Sequence, residues 1–222
     1  MTAFIDRVLR FVVHNFFKTA ALVIFKVFYG VKFYDVHNIP EKEGGIVMPN
    51  HASFWDPPLT GCVSYKRMFR FMARDSLFRV PVWGRLLRYM GAFPVKRGAV
   101  DRRAWKELSA IVEKGGLVTI FPEGTRSPDG NIKEGKAGAG MLVYMTKAKV
   151  IPVYIDGSHK AWPKGKKLPR LFKKIRVIYG EKMDFSGYFK KKGSKEVYIE
   201  ITEKIIERIK ELREKLAAEA GR

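Results

Sequence analysis

His51 and Asp56 stand five positions apart in PNHASFWDPP, residues 49–58. An imidazole beside a carboxylate can do acid–base chemistry. The carboxylate accepts from one ring nitrogen, fixes the tautomer and leaves the other nitrogen as a proton acceptor. This is the base half of a catalytic triad with no protein nucleophile beside it, which suits attack by a substrate hydroxyl. The residues between must bend. On an ideal helix five positions turn through about 500°, so the two side chains would point roughly 140° apart, and Pro57 biases Asp56 away from helical backbone. A turn that returns Asp56 to the ring is therefore expected. A second cluster is FPEGTRS, residues 121–127. Gly124 gives its turn backbone freedom, Thr125 and Ser127 carry hydroxyls, and Arg126 offers a planar fork that matches phosphate. Taken singly, each cluster also fits a structural role: a His–Asp hydrogen bond in the first, a loop tied by a Glu123–Arg126 pair in the second.

Both clusters begin where an apolar run stops. GGIVMP leads into the first and GLVTI into the second, and RFMA, GAFPV, VIPVYI and IRVIYG are further strand-like runs. Between them, residues 101–114 put Ala104, Leu108, Ile111 and Val112 on one helical face. The last helix starts after Gly193-Ser194, and its apolar stripe is Tyr198, Ile201, Ile205, Ile209, Leu212 and Leu216. This alternation predicts an α/β fold: a single domain over residues 34–222 with a mixed, largely parallel sheet flanked by helices. A chain of 222 residues is long enough for one good core.

Residues 1–33 have a different character. They are rich in apolar and aromatic residues, but Lys18, Lys26, His14 and Asn15 interrupt them, and the longest unbroken apolar run is Ala20 to Phe25. That is far short of the roughly 20 residues a bilayer span needs. Two readings remain, a pair of helices packed on the core or an amphipathic pair lying in the membrane interface with its cations at the head groups. The expectation adopted is a two-helix membrane-binding motif. Charge points the same way. Lys and Arg total 43 against 22 acids, a net +21, which calls for an anionic partner. Residues 159–182 alone hold nine cations and one acid, Glu181. Cys62 is the only cysteine, so no internal disulfide can form, and no Cys/His cluster has zinc spacing; a reducing compartment and no metal are expected.

Together and in this order, the two clusters resemble the 1-acyl-sn-glycerol-3-phosphate (lysophosphatidic acid) acyltransferase family of glycerolipid acyltransferases. NHASFWD corresponds to the family's N-H-x4-D block, and FPEGTRS matches the third block without substitution. GAFPVKR corresponds to the second block, whose arginine falls on Arg97, although Val95 and Lys96 stand where the family reads closer to I-F-I-D-R. VIPVYIDG, with Pro152, corresponds to the fourth, and GKAGAG, residues 135–140, resembles the lysine–glycine segment that follows the third.

The resemblance implies transfer of a fatty acyl group from the thioester of acyl carrier protein or CoA to the sn-2 hydroxyl of lysophosphatidic acid. The product would be phosphatidic acid, and no cofactor would be needed. His51 and Asp56 would be catalytic, while Arg97, Glu123, Gly124, Thr125, Arg126 and Lys136 would bind substrate. Phe54 and Trp55 are candidates to line the acyl cleft. A lipid acceptor implies a monotopic or peripheral seat on the cytoplasmic face of the cell membrane. The same chemistry fits glycerol-3-phosphate or another lysophospholipid as acceptor. A non-catalytic binder of nucleic acid or anionic lipid would also account for the charge, but neither a recognised nucleic-acid-binding motif nor a convincing base-stacking pattern of aromatics is present, so no nucleic-acid partner is expected.

Overall fold

The computed structural model describes residues 2–64, 67–95 and 102–220. Its strands are β1 (Lys32–Tyr34), β2 (Gly45–Pro49), β3 (Phe69–Arg74), β4 (Ala92–Val95), β5 (Leu117–Thr119), β6 (Val150–Asp156) and β7 (Arg176–Tyr179). They form one sheet in the order β1-β7-β6-β2-β5-β3-β4. Every neighbouring pair is parallel except β6 and β7, so the mixed, largely parallel α/β sheet expected from the alternation is present. The central strand explains why it reads as an unbroken apolar run. All five residues of β2 are buried, with Ile46 and Met48 in one core and Val47 in the other. A strand covered on both faces has no polar side to alternate with.

The helices are α1 (Thr2–Tyr29), α2 (Asp56–Gly61), α3 (Pro81–Tyr89), α4 (Arg102–Glu113), α5 (Ala137–Thr146), α6 (Ser158–Ala161) and α7 (Lys195–Ala220). Helices α4, α5 and α7 close one face of the sheet, and Ile201, Ile205 and Ile209 of the expected stripe lie in that core. Helix α5 sits so close to α7 that a side chain at Gly140 would begin 2.0 Å from the Tyr198 carbonyl oxygen. Instead the Gly140 amide donates to Thr202 Oγ1 at 2.9 Å.

Helices α1 and α2 cover the other face. The expected pair of N-terminal helices is in fact one continuous helix. No Gly or Pro interrupts residues 2–29, so nothing breaks its hydrogen-bond ladder until Gly30, which takes φ +51 just past its end. His14, Asn15 and Lys18 do not interrupt it. Lys18 turns inward, is buried, and donates from Nζ to the Arg67 carbonyl at 3.0 Å; burial holds its pKa below the ordinary lysine value. Phe25 and Tyr29 pack into the core with Leu59, Val153 and Val177. The boundary expected after residue 33 falls inside β1, which pairs with β7. The opposite face of α1 is apolar as well and is exposed, with Leu9, Val12, Phe16, Val23 and Val27 spaced three, four or seven apart. The stretch Val12–Tyr29 is long and apolar enough to cross a membrane by length and composition.

Candidate active site

Strands β2 and β5 are parallel neighbours, paired from Gly45↔Leu117 to Val47↔Thr119. Both therefore deliver the chain that follows them to the same edge of the sheet, where clefts in open α/β folds lie. The chain leaving β2 carries His51, and the chain leaving β5 carries residues 121–127.

The turn after β2 is closed by one carboxylate. Asp56 is fully buried, and its Oδ2 accepts from the amides of Ala52 and Ser53, each at 2.7 Å, and from His51 Nδ1 at 2.9 Å. The bend inferred from the sequence is thus built by the residue it had to bring back. The bias of Asp56 away from helical backbone is overridden: Asp56 is the first residue of α2, with Pro57 and Pro58 in its first turn. Prolines are tolerated there because those amides have no partner within a helix in any case. Asn50 ties the turn to β6 by accepting from the Ile155 amide at 2.7 Å and donating to its carbonyl at 3.1 Å. A carboxylate can only accept, so Nδ1 carries the proton and Nε2 is left as the basic nitrogen. His51 is 15% exposed, and the Phe121 ring stacks on it at 3.9 Å between centroids and 21° between planes.

Glu123 joins the two loops. It is 1% exposed; Oε1 accepts from the His51 amide at 2.7 Å and Oε2 from the Lys133 amide at 3.2 Å. Burial pushes its carboxyl up to about 7, the nearby Asp56 charge adds to this, and the two amides pull the other way. The Ser127 amide completes the strap by donating to the His51 carbonyl at 2.7 Å. Gly124 takes φ +70, the left-handed backbone this turn requires. Thr125 Oγ1 accepts from Lys133 Nζ at 2.9 Å. The Arg126 guanidinium lies 3.5 Å over the Phe54 ring. Lys136 is exposed, and its amide closes the loop by donating to the Pro122 carbonyl at 2.9 Å. Arg97 lies outside the described residues.

Of the aromatic pair expected to line a cleft, the structure separates the two. Phe54 is 44% exposed, between Arg126 and Trp162. Trp55 packs on Phe25 and Tyr29. Lys133, Phe121 and Trp162 are site neighbours that sequence reasoning did not single out. Phe121 opens the quoted third block, so its place was available; Lys133 is one cation among 43, and only the fold distinguishes it.

Other nucleophiles near the turn are engaged. Ser53 Oγ donates to the Trp162 carbonyl at 2.8 Å and Ser127 Oγ to Asp129 Oδ1 at 2.7 Å. Cys62 is 2% exposed, and burial pushes its thiol up to about 12, far from a thiolate at neutral pH.

A family model described as Acyltransferase matches residues 30–156. The chain is 32% identical over 206 residues to a 1-acyl-sn-glycerol-3-phosphate acyltransferase of Bacillus subtilis, covering 91% of this chain and 98% of the relative. It is 32% identical over 189 residues to a chloroplastic protein of the same description from Brassica napus, covering 81% of this chain. The chain spans about half the length of that plant relative, 54%. Among solved structures, the crystal structure of the 1-acyl-sn-glycerophosphate (LPA) acyltransferase from Thermotoga maritima superposes with a TM-score of 0.67 at 30% identity, covering 90% of this chain and 78% of that one.

Proposed function

We propose, from the fact that this chain belongs to the acyltransferase family, that it transfers a fatty acyl group from a thioester to the sn-2 hydroxyl of lysophosphatidic acid. The observation that carries the reading is the 2.9 Å contact between His51 Nδ1 and Asp56 Oδ2, which leaves Nε2 as a base, while the one hydroxyl of its motif, Ser53 Oγ, is turned to the Trp162 carbonyl. Nε2 takes the proton of the acceptor hydroxyl as its oxygen attacks the thioester carbonyl. The tetrahedral intermediate collapses, the carbon–sulfur bond breaks, and the same proton goes to the leaving thiolate. Positioned acid–base catalysis of this kind contributes on the order of 10²–10⁴-fold. Asp56 orients the ring and stabilises the imidazolium.

The acceptor phosphate is assigned to the cationic side of the 121–136 loop. Arg126 supplies the planar fork, held flat by Phe54, and Lys133 and Lys136 supply point charges, with Thr125 Oγ1 beside Lys133. Arg97 is kept as a further phosphate ligand on the family's second block. Glu123, with both oxygens engaged by backbone amides, contributes to substrate binding through the shape of the loop and sets the depth of His51. The donor is the thioester of acyl carrier protein or of CoA.

A lipid acceptor is met at a membrane surface. Helix α1 offers two apolar faces, one filled by the domain and one exposed. The outer face supports a monotopic seat in one leaflet of an anionic membrane on its cytoplasmic side, with Lys26 at the rim. The C-terminal end of α1 is fastened to the domain through Tyr29 and β1.

The test is phosphatidate formation by purified protein. Lysophosphatidate should be acylated with acyl-CoA or acyl carrier protein as donor, and far faster than glycerol-3-phosphate or lysophospholipids lacking a terminal phosphate. No product from lysophosphatidate with either donor, or a rate with one of the other acceptors that equals or exceeds it, would refute the assignment.

A further inference from the structure

Past α6 the chain makes a long excursion before it re-enters the sheet at β7. No acid lies between Asp156 and Glu181. Lys164, Lys166, Lys167, Arg170, Lys173 and Lys174 are all exposed. Among these cations stand three apolar side chains, equally unshielded: Leu168 is 78% exposed, Leu171 46% and Phe172 76%. Phe172 also adopts φ +58. A bulky residue in left-handed backbone is an outlier that costs free energy unless surroundings fix it. Here the backbone fixes it: the Phe172 amide donates to the Phe28 carbonyl at 2.9 Å, and the Ile175 amide to the Tyr29 carbonyl at 3.1 Å. The strained conformation turns an aromatic ring out to solvent, which stability in water alone does not explain.

Two contacts say what the excursion is for. The Phe172 ring lies 6.3 Å from the Phe28 ring, so Phe172 continues the exposed face of α1 at Phe28. At its root, Ser53 bridges to Pro163 and donates to the Trp162 carbonyl. Ser53 follows His51 by two residues, and Trp162 packs on Phe54. The excursion therefore joins the catalytic turn to the outer apolar face.

We propose that residues 163–174 form a second lipid-docking arm, which inserts Leu168, Leu171 and Phe172 beside the outer face of α1 into an anionic bilayer surface, with the surrounding cations on its head groups. The inference rests on the membrane-surface seat proposed above for α1 and adds a second point of attachment. Two attachments fix the orientation of the domain, where one helix alone leaves it free to rotate. With the arm docked, the His51 turn sits at head-group depth, where a lysophospholipid presents its hydroxyl. The lipid environment also recovers, by burying apolar surface, the cost of holding Phe172 outward.

The experiment uses the full chain and vesicles of phosphatidylcholine and phosphatidylglycerol in equal parts. The triple substitution Leu168→Ser, Leu171→Ser, Phe172→Ser should lower the vesicle partition coefficient on the order of tenfold or more. The rate with acceptor embedded in those vesicles should fall in step. Turnover of a short-chain lysophosphatidate dispersed below its aggregation limit, which needs no docking, should stay within about twofold of wild type. Phe172→Asn separates docking from folding. Asparagine suits left-handed backbone, so the melting temperature should hold or rise while vesicle binding weakens; a melting temperature that falls with vesicle binding intact would make Phe172 a structural residue and overturn the arm. Vesicle binding by the triple variant as tight as wild type would also overturn it. If the wild-type chain itself does not bind these vesicles, the membrane seat fails and the arm with it.

Discussion

Replacing Asp56 by Asn isolates the charge of the dyad from its architecture. The amide keeps the volume and one carbonyl oxygen, so the Ala52 and Ser53 amides, now 2.7 Å from Oδ2, still find an acceptor and the turn should survive. What disappears is the negative charge beside the ring as it becomes imidazolium. With charge centres roughly 4 Å apart and an effective dielectric near 20, that interaction is worth about 4 kcal/mol. At about 1.4 kcal/mol per factor of ten, kcat should drop by about a thousandfold. Asp56→Ala behaves differently. It strands two buried amides and the ring N–H, and each unsatisfied buried donor costs about 1–3 kcal/mol, so stability should fall together with activity. The assay is thiol release at saturating donor and acceptor, run beside a thermal melt of each variant. An Asn variant within tenfold of wild type would show that the carboxylate charge is not used. An Asn variant that melts as early as the Ala variant would show that Asp56 acts through the turn alone.

His51→Ala should abolish phosphatidate formation while leaving the melting temperature near wild type, because the side chain is a partly exposed ring at the sheet edge; a tenth of the wild-type rate remaining would refute its role as base. Arg126→Lys and Lys133→Met should each raise KM for lysophosphatidate and leave KM for the thioester little changed; an equal loss with an acceptor lacking the phosphate would contradict the placement. Glu123 makes stability depend on pH with a definite sign. Its folded value, about 7, lies above the ordinary 4.5, so its contribution is full below about pH 4.5 and is lost as the pH rises through about 7. The melting temperature of wild type should therefore decline relative to Glu123→Gln across that window, with a constant gap above it; parallel curves would refute the buried-carboxylate cost.

Much of the fold was legible because both faces of the sheet are covered. Strands such as β2 and β6 then read as short apolar runs, and α7 announces itself by its stripe. Helix α5 was not, since its AGAG start serves close approach to α7 at Thr202 and Tyr198 and has none of the polar–apolar periodicity that marks a surface helix. The single long α1 reads as two because Lys18 looks like an interruption, whereas its ammonium turns inward to a carbonyl. Within the site, the His51–Asp56 pairing followed from chemistry and a required bend. Spacing could not reveal that Asp56 Oδ2 also collects the amides of its own turn, which depends on the backbone angles of residues 52–56, or that Glu123 reaches the His51 amide, a contact between chain segments that only the fold brings together. Lys133 and the 163–174 arm likewise carry no local signature beyond positive charge, and their meaning comes from Thr125 and from Phe28.

The central claim is that the acceptor hydroxyl attacks the thioester directly, with His51 as base and no acyl-enzyme between. A rapid-mixing measurement of thiol release from the acyl thioester, with lysophosphatidate and with an analogue in which the sn-2 hydroxyl is replaced by hydrogen, tests it. Direct attack predicts release with lysophosphatidate only, in step with phosphatidate formation and absent in His51→Ala. A burst of thiol stoichiometric with enzyme in the presence of the deoxy analogue would reveal an acyl-enzyme and contradict the mechanism.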